Sequence, residues 1–330
     1  MNEATADSTG APLAAAVPET LRRVAASRLY QGPRTKRLAA ADRLIAAASQ
    51  HNIRPDLMWA TFGESAAIEP VRQLVMGVPG SGRTAMLFLS PPGPVGACGD
   101  ARAQQSELAA CVRAARAGLH PAHARLIQAL PEPHETWSIE ACVEGGLTLI
   151  GELAYMRRPF SPNDGDEIEP WPSGVDVRPL GKGADTDFEA LETALASSYI
   201  ETLDCPELCG LRDTSDVVAS HVATGLFDPS TWWMVWHEGQ PEGCVLMSHC
   251  PEHDSVELVY LGLSPKIRGR GLGEALLRGS IARCKAYNAA SVTLAVDRRN
   301  APALRLYDRL GFRAFASRVA LVWGPTPPAS

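Results

Sequence analysis

No apolar run in the 330 residues approaches the roughly 18–20 needed for a membrane-spanning helix. No membrane partner is expected. The first 20 residues contain Glu3, Asp7 and Glu19 but neither lysine nor arginine, so the basic start of a secretory leader is missing. A cytoplasmic protein with reduced thiols is the expectation. The eight cysteines are scattered. Only Cys205 and Cys209 lie four residues apart, and no second close pair completes a zinc set, so no metal is expected. Positive charge is short too: 31 Lys and Arg stand against 37 Asp and Glu, a net −6, which argues against a general nucleic-acid binder. With 45% apolar and 21% charged residues, wholesale disorder and fibrous architectures are excluded.

What is present fits two domains of ordinary size. Residues 1–20 are rich in Ala, Thr and Pro, carry no period and read as a flexible tail. Residues 159–174 hold four prolines and four acidic residues. A linker over 161–174 is therefore expected between a domain at 21–160 and another at 175–330. In the first, apolar residues recur at helical spacing over 36–50, and strands are predicted at 71–76 and 84–89. A helix at 105–117, a strand at 126–130, a helix at 136–144 and a strand at 147–156 follow. In the second, a strand at 175–178 and helices at 187–198 and 215–223 precede strands at 232–237, 242–249 and 256–263. Short turns join these last three, which suits an antiparallel meander. A helix at 272–287, a strand at 291–296, a helix at 301–310 and a strand at 313–323 complete the chain.

Charge is unevenly placed. From Lys266 to Arg313 there are eleven Lys or Arg against three Asp or Glu, net +8, which leaves −14 for the remainder. Such a basic segment in an acidic chain suits a polyanionic ligand or a solvated helix surface. Within it, Arg268-Gly269-Arg270-Gly271-Leu272-Gly273 stands between a strand and a helix. Glycines let the backbone turn tightly, with no Cβ in the way of a ligand. The helix start adds unpaired N–H groups and a positive dipole end. Together they make a cradle for phosphate. A dinucleotide fold would need a different glycine order after a parallel strand, and Asp297, placed where its ribose acid would be, runs directly into Arg298 and Arg299.

The stretch from Val256 to Phe312 resembles the core of the GCN5-related N-acetyltransferase superfamily. The likeness rests on Leu261-Gly262-Leu263-Ser264-Pro265 at a strand end, R-x-x-G-x-G at Arg268, Gly271 and Gly273, then Asn300, Ala303, Leu306-Tyr307 and Gly311-Phe312. It implies an α/β fold with a mixed, mostly antiparallel sheet flanked by helices. It also implies acetyl-CoA as co-substrate and a small-molecule or peptide amine as acceptor. By the same likeness, Leu261 and Leu263 would offer backbone contacts to the cofactor arm. Arg268, Gly269, Arg270, Gly271, Leu272 and Gly273 would hold its phosphates, and Asn300 would lie near the arm. Tyr307 would protonate the departing thiolate, or serve packing beside Leu306 and Leu310. Glu257 would be the base. In a regular strand it shares a pleat face with Val259, Leu261 and Leu263, though a rim carboxylate at a strand end would look the same. His221, His249 and His253 could line an acceptor site, with Trp232, Trp233 and Tyr260 as walls or core.

In the first half, Gly77 to Thr84 reads G-V-P-G-S-G-R-T, close to a nucleotide-binding P-loop. Arg83 replaces the lysine and a strand follows instead of a helix, so a hairpin turn is the better reading. The element order there echoes the second half, but no R-x-x-G-x-G follows Leu89 and the Leu-Tyr-x-x-x-Gly-Phe element is missing. The chain therefore resembles tandem acetyltransferases whose N-terminal copy has degenerated. The alternative for the whole is a non-catalytic CoA-binding or interaction protein.

Overall fold

The structure is a computed structural model that describes residues 13–51, 53–63, 70–93, 100–120, 123–165, 171–181 and 185–324. The chain divides into two compact units. One comprises residues 1–150 with 319–330, the other residues 151–318.

The first unit contains β1 (Ala15–Ala16), α1 (Arg22–Ser27), α2 (Arg34–Ala47), β2 (Met58–Phe62), β3 (Val71–Gly80), β4 (Thr84–Leu89), α3 (Ala101–Leu119), β5 (Leu126–Ala129) and α4 (Thr136–Glu144). Strands β1 to β4 pair antiparallel in sequence order, and β4 pairs parallel with β5. Residues 321–323, from a strand introduced below, then pair antiparallel with β5. Alternation along β2 and β3 serves two faces. Met58, Ala60, Leu74 and Met76 pack with α1 and α2, whereas Trp59 and Val75 pack with α3 and α4. Of the segment read as a tail, residues 1–12 lie outside the described residues. Ala15 and Ala16, by contrast, are paired with Ala60 and Trp59.

The second unit begins inside β6 (Thr148–Pro159). It continues through β7 (Val175–Pro179), α5 (Asp185–Tyr199), α6 (Thr214–Val222), β8 (Trp232–His237), β9 (Gln240–Cys250), β10 (Ser255–Leu263), α7 (Leu272–Cys284), β11 (Ser291–Asp297) and α8 (Ala301–Arg309). β12 (Arg313–Trp323) starts in this unit and ends in the first. β8, β9 and β10 form the expected antiparallel meander, and β7 pairs antiparallel with β8. β11 pairs parallel with β10 and antiparallel with β6.

Residues 151–159, placed by the sequence in the first domain, are thus a strand of the second sheet. The segment expected as a linker also lies within the second unit. Arg158 pairs with Asp164 at 2.6 Å, Lys285 Nζ donates to the carbonyls of Pro162 and Asp164, and Trp171 packs on the core. Residues 166–170 lie outside the described residues. Two apolar clusters cover the sheet's faces: α7 and α8 pack on Val245, Met247, Val256 and Leu258, while α5 and α6 pack on Trp232, Met234, Cys244 and Leu246.

Candidate active site

β10 is the strand on which the site is built. It pairs with β11 only from Ser255 to Glu257, yet stays paired with β9 to Leu263. From Leu258 onward β10 and β11 part, and a cavity of about 430 Å³ is lined by residues 258–263, Ala295, the start of α7 and one side of α8. The separation coincides with a bulge between Leu258 and Tyr260. One extra residue reverses the alternation beyond it. Val256 and Leu258 face α7, Val259 and Tyr260 face α5, and Leu261 and Leu263 face α7 again.

The glycine-rich turn opens on the same cavity through Arg268, Gly269, Gly271 and Gly273. Gly269 and Gly271 have φ of 76° and 75°, the left-handed region where a Cβ is costly. Gly271 is the N-cap of α7 and no side chain caps its N–H groups. Those donors and the dipole of a 13-residue helix are available to an anion. A Cβ added at Gly273 would meet only methyls of Leu263 and Leu306, both at 3.9 Å. Leu272 is different: its side chain is buried in the core, which leaves only its backbone for a ligand. Arg270 is exposed and is not part of the cavity wall.

Arg268 does something the motif did not suggest. Its guanidinium is occupied by carbonyls: Nε donates to Leu263 at 2.7 Å, Nη2 to Ser198 and Ile200 at 2.8 Å each, and Nη1 to Glu201 at 3.2 Å. All but the Leu263 carbonyl are open carbonyls at or just after the end of α5, where a cation is also favoured by the helix dipole. The side chain therefore ties the glycine-rich turn to the end of α5 and the segment after it, and the backbone N–H groups at the start of α7 stay open. Arg268→Lys keeps the charge but cannot reproduce the fork. It should destabilise the protein by on the order of 2 kcal/mol and raise amide exchange across residues 198–204, as read by thermal denaturation and hydrogen-exchange mass spectrometry.

Tyr307, on α8, lines the cavity while its ring packs into the core and meets Phe312 edge-on at 5.7 Å. Burial, with the Asp204 carboxylate nearby, raises its phenol well above the usual value, so the proton is held. Asn300 also lines the cavity. Its side-chain oxygen accepts from the Ala303 N–H at 3.2 Å and caps α8. Beside it, Asp297 is fully buried and grips Arg299 at 2.7 Å, and Glu207 pairs with the same guanidinium through Nη1 and Nη2.

Glu257 stands one residue before the cavity wall. Because of the bulge it does not share a face with Leu261 and Leu263, as a regular strand would require; it lies on the α5 side with Val259. Ser248 and Thr293 are its cross-strand neighbours. Burial pushes its carboxyl above the ordinary range, and the His253 ring draws it part of the way back. His221 lies against the Tyr260 ring with centroids 5.7 Å apart, and burial pushes it down to about 4, so it is neutral. His249 stacks on Tyr287 at 4.6 Å. Trp232 and Trp233 are core residues, whereas Tyr260 lines the cavity and shares a 2.7 Å hydrogen bond with Ser198.

Among its described residues the first unit shows none of these devices. β3 and β4 pair without a register shift, and Gly77 to Thr84 is the hairpin between them, with Gly80 opposite Thr84. After β4 the Gln104 side chain accepts from the Gly93 N–H at 2.7 Å and donates to its carbonyl, clasping that turn to α3. Gly96 and Gly99 lie outside the described residues.

Residues 199–312 match the family described as "Acetyltransferase (GNAT) family". A mycothiol acetyltransferase of Rhodococcus erythropolis is 31% identical over 189 residues, 54% of this chain and 60% of that protein. A mycothiol acetyltransferase of Streptomyces avermitilis is 32% identical over 169 residues, 51% of this chain and 52% of that one. The chain thus spans between half and three-fifths of these relatives. A solved structure of a GCN5-related N-acetyltransferase from Sphaerobacter thermophilus covers 96% of both chains with a TM-score of 0.56 and 18% identity. That likeness speaks to fold, and the fold is the expected one: mixed, mostly antiparallel sheets flanked by helices. Residues 199–312 are thus similar to the GNAT family of acetyltransferases.

Proposed function

We propose that the second unit transfers an acetyl group from acetyl-CoA to the primary amine of a small molecule by direct attack. The observation that carries this reading is the convergence of three features on one cavity. They are the parting of β10 from β11, the uncapped glycine-rich start of α7, and the Tyr307 phenol. Backbone groups of Leu261 and Leu263 would hold the cofactor arm, and the N–H groups around Gly271 to Gly273 its pyrophosphate. Glu257 takes one proton from the ammonium form of the acceptor and passes it to water. The N–C bond then forms as the C–S bond breaks. Tyr307 gives its proton to the sulfur and regains one from the attacking nitrogen. Holding the two reactants together supplies much of the rate. The names of the curated relatives support a small-molecule acceptor over a peptide.

The test is thiol release from acetyl-CoA with glucosamine, L-cysteine methyl ester, spermidine, a lysine peptide and hydroxylamine. Turnover of at least one above the uncatalysed rate is expected. Tight CoA binding with no turnover of any would favour a non-catalytic CoA-binding protein. In the same preparation, Gly273→Val should fold normally but bind acetyl-CoA roughly tenfold or more weakly by calorimetry, because its methyls occupy the ligand's space. Equal affinity would remove this loop from the cofactor site.

A further inference from the structure

The cavity wall carries acidic side chains, and they differ in what holds them. Glu274, in the first turn of α7, is paired with both Arg278 and Arg309 at 2.9 Å. Asp204, on the segment after α5, has no cationic partner among the described residues. It is nevertheless fixed in place. Its Oδ1 accepts the Asp297 N–H at 2.8 Å, and the next residue, Cys205, donates its N–H to Asp297 Oδ2 at 3.1 Å. Asp297 has spent its own charge on Arg299. The loop is thus pinned to the end of β11, and the Asp204 carboxylate, which also takes a side-chain hydrogen bond from Asn300, is held by neutral donors alone. Tyr307, Asn300 and Tyr260 line the same cavity.

A carboxylate with no cationic partner, held beside Tyr307, is suited to one kind of visitor. A second anion would be repelled, and a neutral amine would gain little. An ammonium ion would supply the missing charge and a directed N–H donor. We propose that Asp204 is the recognition point for the acceptor and that the acceptor class is a cationic primary amine, held by Asp204 before it loses its proton to Glu257. This rests on the acetyl-transfer reading above. Burial raises the Asp204 carboxyl above its ordinary range, and the neighbouring Asp297 charge adds to this. Both costs fall when a cation docks.

Asp204→Asn removes the charge but keeps an oxygen for the Asp297 N–H, so the loop should stay pinned. At saturating acetyl-CoA the variant is compared with wild type on those of glucosamine, L-cysteine methyl ester and spermidine that turn over, and on hydroxylamine, which is neutral at working pH. KM for the cationic amines should rise roughly ten- to a hundredfold, with kcat affected far less and acetyl-CoA affinity by calorimetry held. The loss with hydroxylamine should be much smaller. If the Asn variant melts early, Asp204→Ser, which retains a hydroxyl acceptor, is measured the same way. An equal loss for charged and neutral acceptors, or no loss for either, overturns the proposal. A wild-type protein inert to every amine removes the acetyl-transfer reading and this proposal with it.

Discussion

Glu257→Gln should lower kcat by roughly 10² to 10⁴ with little change in acetyl-CoA affinity. The substitution keeps the size and polarity of a side chain set between Ser248 and Thr293 but cannot accept a proton. Its position before the bulge puts it on the α5 side, away from the backbone of Leu261 and Leu263 that would hold the cofactor arm. A base there can reach the acceptor without displacing the thioester. Because burial raises its pKa, the protonated form persists to higher pH than in an ordinary glutamic acid. Activity should therefore climb with pH through a midpoint above the usual carboxylate range, as Glu257 loses its proton. The pH profile of kcat/KM reads this directly, and the limb should vanish in the Gln variant. A loss below about threefold would return Glu257 to the role of a solvated strand-end carboxylate.

Tyr307→Phe removes one oxygen and leaves the ring. Turnover with a saturating acceptor should fall roughly a hundredfold, while the melting temperature barely moves. The ring's contacts, including the edge-on approach to Phe312, survive the change. The lost hydroxyl acts only as charge develops on sulfur, so the effect belongs in kcat more than in cofactor binding. Burial keeps the phenol protonated across the working range, so the wild-type profile should show no alkaline loss from this group near neutrality. Equal turnover by the two proteins, with the chemical step shown to be rate-limiting, would leave Tyr307 with packing alone.

Much of the second unit was legible because its elements announce themselves. The glycines before α7, the apolar, aromatic-rich run of β8 and the asparagine ahead of α8 each carry a local physical signal. β2 carried none. Met58 to Phe62 is buried along most of its length, so it shows no alternation, and at five residues it is too short to stand out. α1 is a six-residue helix held by tertiary packing, which periodicity cannot reveal. The backbone that the motif pointed to lines the cavity, but two side chains lie elsewhere than expected. Arg268 turned to the carbonyls of α5, a partner 67 to 70 positions away along the chain. Glu257 changed face relative to Leu261 because a single inserted residue reverses the pleat, and no residue type in Leu258 to Tyr260 signals a bulge. Asp204 gave no sequence signal at all. Its interest comes from β11, whose Asp297 N–H fixes it on the cavity wall.

The path of β12 bears on how the protein is made. Its early residues belong to the second unit, but Leu321 to Trp323 lie opposite Ala129 to Ile127. β5 is short, with β4 on one side and these residues on the other. While the polypeptide is emerging from a ribosome, the first unit must therefore wait with one edge of β5 uncovered until the whole second unit has been synthesised. An unsatisfied strand edge is a template for pairing with other chains, and non-local pairing of this kind is slow to form. The first unit, although encoded first, is the one whose sheet is completed last, and nascent chains are most open to aggregation in that interval.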